Sequence, residues 1–208
     1  MANLFIIAAP SGCGKTSLVE ALIKNTNNLC VSVSHTTRKP RPEEIDGSNY
    51  HFISVHEFQE MIIKNEFIEH AEVFENFYGS SRQLIKNNLK KDIDVILEID
   101  WQGAQQVNLN MPSAISIFIL PPSKKALLER LRNRAQDNEI TIKKRMSDAQ
   151  NQMRHFDEFD YLIINHDFNE ALANLITITN PSSNASDKQS LLLSKQSNKH
   201  KNLLKKLI

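Results

Sequence analysis

The stretch from Leu4 to Ile23 constrains this chain more than any other. An apolar run, Leu4-Phe-Ile-Ile-Ala8, leads into Ala9-Pro10-Ser11-Gly12-Cys13-Gly14-Lys15-Thr16, and Ser17-Leu18-Val19-Glu20-Ala21-Leu22-Ile23 follows with helical spacing. That order reads as strand, phosphate loop and helix. In such a loop small residues let consecutive backbone N–H groups turn inward on the α- and β-phosphates of a nucleoside triphosphate. The lysine reaches the β/γ-phosphates and the hydroxyl ligates Mg²⁺. Lys15 and Thr16 stand where that chemistry needs them. The strict pattern has Gly at the first position, where this chain has Ala9, but the strand before and the amphipathic run after supply the context. The plain alternative is a Gly-rich turn capping a helix.

Composition adds limits. At 208 residues the chain is long enough for one good-sized core with an insertion. Lys+Arg 25 against Asp+Glu 24 leaves a formal net charge of +1, which gives no general electrostatic reason to bind nucleic acid or membrane. Any basic site is therefore local. Cys13 and Cys30 are the two cysteines, and with one in the phosphate loop they imply no disulfide framework and a reducing, cytoplasmic setting. Leu4 to Ala9 is too short for the apolar region of a leader, and no run approaches the roughly 20 apolar residues of a membrane helix.

Further along, Cys30-Val-Ser-Val-Ser34 alternates like a short strand and delivers His35-Thr-Thr-Arg-Lys-Pro-Arg-Pro42 as a loop. Pro40 and Pro42 disfavour helix for the residues before them, which places Arg38 and Arg41 on extended, exposed backbone. Alone, such a loop is a solvated basic surface. Asp46-Gly47 marks a turn, Tyr50 to Ile53 a strand, Val55 to Lys64 a helix and Phe67 to Phe74 a strand carrying Glu69 and Glu72. Tyr78-Gly-Ser-Ser81 follows, then a helix from Arg82 to Lys90. Short strands without long helices between them predict a small antiparallel or mixed sheet inserted in a βα chain.

Asp94 to Asp100 returns to a buried parallel-type strand ending in two carboxylates, Glu98 and Asp100. Ligands in open α/β sheets bind beyond the carboxyl ends of strands, so both are site candidates, although Asp100 could instead cap the helix starting near Trp101. Ala114 to Leu120 is a further strand, stopped by Pro121-Pro122, and Ser123 is a plausible cap for the next helix. From Arg130 to Arg145 the chain is densely charged, with Arg130, Arg132, Arg134, Asp137, Glu139, Lys143, Lys144 and Arg145. A solvated helix pair laced with salt bridges and a lid that folds arginines over a triphosphate both account for it. Tyr161 to Asn165 and Phe168 to Ile178 give a last strand and helix. Beyond Asn180-Pro181 the composition shifts to Ser, Asn, Gln and Lys, which reads as a mobile tail or a peripheral helix, with Ser182 to Ser190 as a flexible spacer before Leu203, Leu204, Leu207 and Ile208.

Over residues 3–180 the chain resembles the guanylate kinases of the short bacterial type. The resemblance lies in Ser11-Gly-Cys-Gly-Lys-Thr16, Ser34-His-Thr-Thr-Arg-Lys-Pro-Arg-Pro42, Asp46-Gly-Ser-Asn-Tyr50, Glu69, Tyr78-Gly-Ser80, Ile99-Asp-Trp-Gln-Gly103, Ile119-Leu-Pro-Pro-Ser123 and the arginines at 130, 134 and 145. It implies an α/β P-loop nucleoside-monophosphate kinase fold, a parallel core sheet flanked by helices. The expected core comprises 1–33, 83–125 and 146–180, with an inserted mixed-sheet GMP-binding region at 34–82, a helical lid at 126–145 and a polar, basic tail at 181–208.

It implies transfer of the γ-phosphoryl group of Mg-ATP to GMP, and to dGMP. The monophosphate clamp maps to Arg38, Arg41, Tyr50 and Tyr78, and the guanine readers to Ser34, Glu69 and Ser80, with Glu98 and Asp100 beside the nucleotide. ATP falls to residues 9–16 with Arg130, Arg134 and Asn165, catalysis to Lys15, Arg38, Arg134 and Arg145, and Mg²⁺ to Thr16 and, through water, Asp100. Two arginines and two phenols are donors suited to a dianionic phosphate, and a carboxylate can accept from both N1–H and the 2-amino group of guanine. The expected partners are these nucleotides, without nucleic acid or membrane, and a homo-oligomer is possible. A catalytically silent scaffold module of the same fold is the alternative; Lys15, Thr16, Arg134 and Arg145, which such modules lack, argue against it.

Overall fold

The apolar run before the phosphate loop forms β1 (Leu4–Ala8), and all five of its residues are buried. A strand apolar on both faces belongs inside a covered parallel sheet, and the computed structural model, which describes residues 2–73, 75–133 and 139–208, places it there. The strands β2 (Leu29–Val31), β7 (Asp94–Glu98), β8 (Ile115–Leu120) and β9 (Tyr161–Ile164) join it in the order β2-β7-β1-β8-β9. Pairing is parallel between β2 and β7 and between β8 and β9. Such pairs need crossover helices, which α1 (Lys15–Asn25), α3 (Arg82–Lys90), α4 (Trp101–Asn110), α5 (Lys124–Asn133) and α6 (Glu139–Met153) supply, and α7 (Phe168–Thr179) follows the last strand. The chain divides into two compact units, residues 1–6 with 28–114 and residues 7–27 with 115–208.

The first unit holds a second, mixed sheet. Its strands β3 (His35–Thr36), β4 (His51–Phe52), β5 (Phe67–Val73) and β6 (Asn76–Ser81) run in the order β4-β3-β6-β5, with β3 parallel to β4 and antiparallel to β6. Alternation sorts its side chains: Tyr78 and Ser80 share one face of β6, and Phe77 and Gly79 the other. On that other face α2 (Val55–Ile63) lays Phe58, which stacks on Phe67 and Phe77 at 4.5 and 5.5 Å. A capping box starts α2, with Ser54 and Glu57 satisfying each other's backbone N–H groups. The run 30–34 is not one strand as its alternation suggests. The Ser32 N–H still donates to Ile96 O in the core sheet, whereas Ser34 O accepts from the His51 N–H in the small one. Alternation reports that a segment is extended, not which neighbour it pairs with.

The segment after Asn180 takes the helical of the two readings its composition allows, without the flexible spacer. It forms α8 (Ala185–Ser190), α9 (Leu193–Lys199) and α10 (Lys201–Leu207) within the second unit. What reads as a flexible spacer is turn and cap chemistry: the Asn180 and Asn184 side chains accept from the Ser182 and Ser186 N–H groups, both at 2.9 Å. The Leu193 N–H then donates to Asp160 O at 2.8 Å and the Leu162 N–H to Leu191 O at 3.3 Å, so the segment covers β9, the sheet's last strand. Leu191, Leu204 and Leu207 are buried. Among the described residues no helix is long and apolar enough to cross a membrane.

Candidate active site

In the second unit, residues 9–14 turn from β1 into α1. Gly12 and Gly14 have φ of +87° and +92°, a region that residues with a Cβ rarely adopt, and Gly14 is the N-cap of α1 with no side chain to satisfy the helix's first N–H groups. Cys13 O accepts from Asn165 Nδ2 at 2.7 Å and from Arg130 Nη1 at 3.2 Å. Because a trans peptide points its C=O and N–H to opposite sides, fixing Cys13 O on these donors directs the Gly14 N–H away from them. Arg130 also donates to Asn165 O at 3.0 Å, which ties α5 to the end of β9. Arg145 of α6 reaches the loop at Ser11 Oγ, 3.0 Å away.

The charged run divides between the surface and the loop. Arg132 makes a surface pair with Glu139 at 3.3 Å, while Arg130 and Arg145 turn to the loop. Arg134 lies outside the described residues. Asn165 and Arg130, read from sequence as ATP contacts, bond here to loop backbone. Lys15 is half-buried and Thr16 exposed at the start of α1. Cys13 is buried, its Sγ 3.5 Å from Ile119 O, and burial pushes its thiol up to about 12 despite the nearby Arg130 charge. That burial overrides the lowering expected beside a lysine and a helix N-terminus.

The first unit gathers the residues of the other set. Glu69 on β5 stands opposite Ser80 on β6, and both are buried. Ser80 Oγ donates to Glu69 Oε1 at 2.5 Å, and Ser34 Oγ lies 3.4 Å from Ser80 Oγ. Three residues separated by up to 46 positions thus form one hydrogen-bonded chain. Tyr78, two residues before Ser80, packs its ring edge-on to Tyr50 at 5.9 Å. Burial pushes the Tyr50 phenol up from its ordinary range, with Tyr78 and Glu98 adding to the effect. The Arg38 guanidinium lies 5.5 Å from the centre of the Tyr50 ring and 5.9 Å from that of Phe52. Arg38 is half-buried rather than exposed, while Arg41 is exposed. Asp100 caps α4, its Oδ1 accepting from the Gly103 N–H at 2.9 Å.

Glu44 is the residue that sequence reading passed over. Its Oε1 accepts from Arg38 Nη2 at 2.7 Å and its Oε2 from the Arg41 N–H at 2.8 Å, and the bond from Arg38 first of all holds its carboxyl below the usual range. The Glu44 N–H returns to Arg41 O, closing a turn. An acid three residues after an arginine in a proline-bearing loop is the signal that could have found it.

Comparison with known proteins is consistent along the chain. A family model described as guanylate kinase matches residues 1–181. Guanylate kinases of Saccharophagus degradans and Escherichia coli K12 are 52% and 51% identical over 206 and 208 residues, covering 99% of this chain and 97% of each relative. That of Shewanella denitrificans is 57% identical over 177 residues, 85% of this chain and 86% of its own. Among solved structures, a guanylate kinase from Anaplasma phagocytophilum matches with a TM-score of 0.73 at 30% identity, covering 96% of this chain and 94% of that one.

Proposed function

The chain belongs to the guanylate kinase family, and from that premise we propose that its transfer of the terminal phosphoryl group of ATP to GMP rests on two sets of residues, one for each substrate. Residues 9–16 receive the ATP phosphates: the N–H groups at the start of α1 bind them and Lys15 offsets the charge that builds on the transferred group. Arg130 and Asn165 act by holding the loop carbonyl, and Arg145 approaches through Ser11. Arg134 enters this set on sequence alone. No general base is required, because the attacking GMP phosphate is already an anion at neutral pH.

Arg38, Arg41, Tyr50 and Tyr78 clamp the GMP phosphate, with Glu44 holding the Arg38 guanidinium in place beforehand. Glu69, Ser80 and Ser34 read the base; Glu98 and Asp100 complete this set. None of these assignments uses the 2′-hydroxyl, so dGMP is accepted as well. The donor chemistry also fits magnesium carried by the substrate. Among the described residues no cluster of three or more His, Cys, Asp or Glu offers a protein cage, and Mg²⁺ bound with phosphates asks for one or two protein oxygens. Thr16, exposed in the first turn of α1, is the residue that would hold it. Asp100 Oδ1 is taken by the helix cap, so a contact through water falls to Oδ2. When bound, the ion neutralises phosphate charge.

The observation that carries this reading is the Glu69–Ser80–Ser34 chain, buried at Glu69 and Ser80. A buried carboxylate with one oxygen held by Ser80 is suited to accept from the N1–H and 2-amino group that guanine alone among the common bases presents together. Glu69→Gln is expected to lower kcat/KM for GMP by roughly 10²-fold and to narrow the preference for GMP over IMP, which lacks the amino group. A GMP to IMP ratio equal to that of the wild type would remove Glu69 from base recognition.

A further inference from the structure

Three residues of α4 converge on the strand segment that carries Glu69. Gly103, Gln106 and Asn110 follow one another at i, i+3 and i+7, which puts them on one face of the helix. That face meets β5, the last strand in the order β4-β3-β6-β5, whose outer backbone groups have no further strand among the described residues to pair with. Gln106 satisfies both polar groups of His70: its Oε1 accepts from the His70 N–H at 3.1 Å and its Nε2 donates to His70 O at 2.8 Å. Asn110 Nδ2 donates to Ile68 O at 2.9 Å. The residues on both sides of Glu69 are therefore pinned to α4 by side chains that act on backbone.

Two further observations point at the carboxylate itself. Phe67 stands opposite Ser81 and Glu69 opposite Ser80, so two steps along β5 match one along β6 and Ile68 is the extra residue of a β-bulge. A bulge bends its strand and re-aims the side chains beside it, and here Asn110 takes the carbonyl of the bulged residue. Gly103 then meets the side chain. A Cβ built on it would lie 2.6 Å from Glu69 Oε2 and 3.2 Å from Glu69 Cδ. Since Oε1 is bonded to Ser80 Oγ, the carboxylate cannot swing clear of an added methyl without giving up that bond.

We infer that the Gly103, Gln106 and Asn110 face of α4 determines base selectivity by fixing the Glu69 carboxylate. This rests on the reading that Glu69 accepts from guanine's N1–H and 2-amino group. The three are positioning residues, acting through the strand and through the space left for the carboxylate. Two parallel hydrogen bonds to a planar base tolerate little displacement, and an error of about 1 Å in a positioned group can cost about 10²-fold. IMP presents only one of the two donors and loses less, so displacement lowers the ratio of kcat/KM for GMP to that for IMP.

The test uses the full chain with saturating Mg-ATP and either GMP or IMP. Gly103→Ala and Gln106→Leu are each measured alone and combined with Glu69→Gln, with folding checked by circular dichroism. Each single variant is expected to lower the GMP to IMP ratio by about 5- to 10-fold, mainly through KM for GMP, while changing it less than about twofold in the Glu69→Gln background. A change of equal size in both backgrounds would mean that the helix acts generally and not through Glu69. An unchanged ratio in the folded single variants overturns the inference outright. Should Gly103→Ala fail to fold, Gln106→Leu, near in volume and free of the added contact, decides alone. A ratio unmoved by Glu69→Gln itself would instead defeat the reading of Glu69, and this inference with it.

Discussion

Leu207 offers the sharpest test of whether the C-terminal segment belongs to the folded unit. It is 1% exposed, while its neighbour Ile208, similar in size and apolarity, is 43% exposed. Leu207 lines a cleft with Pro122, Ser123 and Lys124, at the end of β8 and the start of α5, so its burial ties α10 to the core of the second unit. Leu→Ala at a buried site costs about 2–5 kcal/mol, and a short terminal helix that can settle inward belongs in the lower half, about 2–3 kcal/mol. For a chain of this size each kcal/mol moves Tm by roughly 2–4 °C, which predicts a fall of about 4–12 °C for Leu207→Ala. Ile208→Ala should stay within about 0.5 kcal/mol, or roughly 2 °C. Thermal unfolding followed by circular dichroism compares the two. Equal Tm values would show the segment to be the loose tether that its Ser, Asn and Gln content suggests. Turnover of GMP at 25 °C should remain within about twofold in both variants, since neither residue is among those assigned to substrate.

Lys15→Met should lower kcat by about 10²-fold or more with the fold retained, and near-normal turnover of the folded variant would take the loop out of the chemistry. Burial, with the His51 ring 4.6 Å away, pushes His35 from 6.5 down to about 4. The native state thus holds His35 neutral while the unfolded chain takes up its proton near 6.5, so stability present above pH 6.5 is lost as pH falls toward 4 and then levels off. Partial solvent access makes the loss smaller than the full shift implies. Urea midpoints across pH 7 to 4 should fall more steeply for the wild type than for His35→Gln, and parallel profiles would exclude His35 as the cause. Cys13, pushed up to about 12 by burial, should react with a thiol reagent at pH 8 only as fast as the protein opens, and more slowly than the less buried Cys30; equal rates would contradict its placement.

What was legible in the sequence followed from period and composition. The buried run at 4–8, the Gly-Lys-Thr turn and the βα alternation carry their structure locally, and the motif around Arg38 and Arg41 carries the family resemblance. What was not legible depends on contacts distant in the chain. Glu44 matters because Arg38 folds back onto it, against the extended exposure that Pro40 and Pro42 suggest. Arg130 and Asn165 enter through the family resemblance, and the bonds both make to Cys13 O join residues too distant in the chain for spacing to announce. Ser182, Asn184 and Ser186 read as tether because short polar residues favour flexible chain as readily as turns and caps. Only the buried leucines beyond them settle which role applies.

The same reasoning explains why Ala9 can stand where the strict phosphate-loop pattern has glycine. Glycine is strongly favoured where φ is well into the positive range or where a backbone must approach another group more closely than a Cβ allows. Gly12 and Gly14 meet both conditions: each has positive φ, and a Cβ would come within 2.8 Å of Leu131 Cδ2 at the first and 3.0 Å of Asn165 Nδ2 at the second. Ala9 is not among the residues with positive φ. Its methyl therefore carries no backbone strain at that position, and alanine reduces the conformational freedom of the unfolded chain relative to glycine. The loop's shape is set one turn later, where Arg130 and Asn165 fix the peptide between Cys13 and Gly14. In this chain the glycines with left-handed backbone in the loop are those flanking Cys13, and the first position of the motif accommodates alanine.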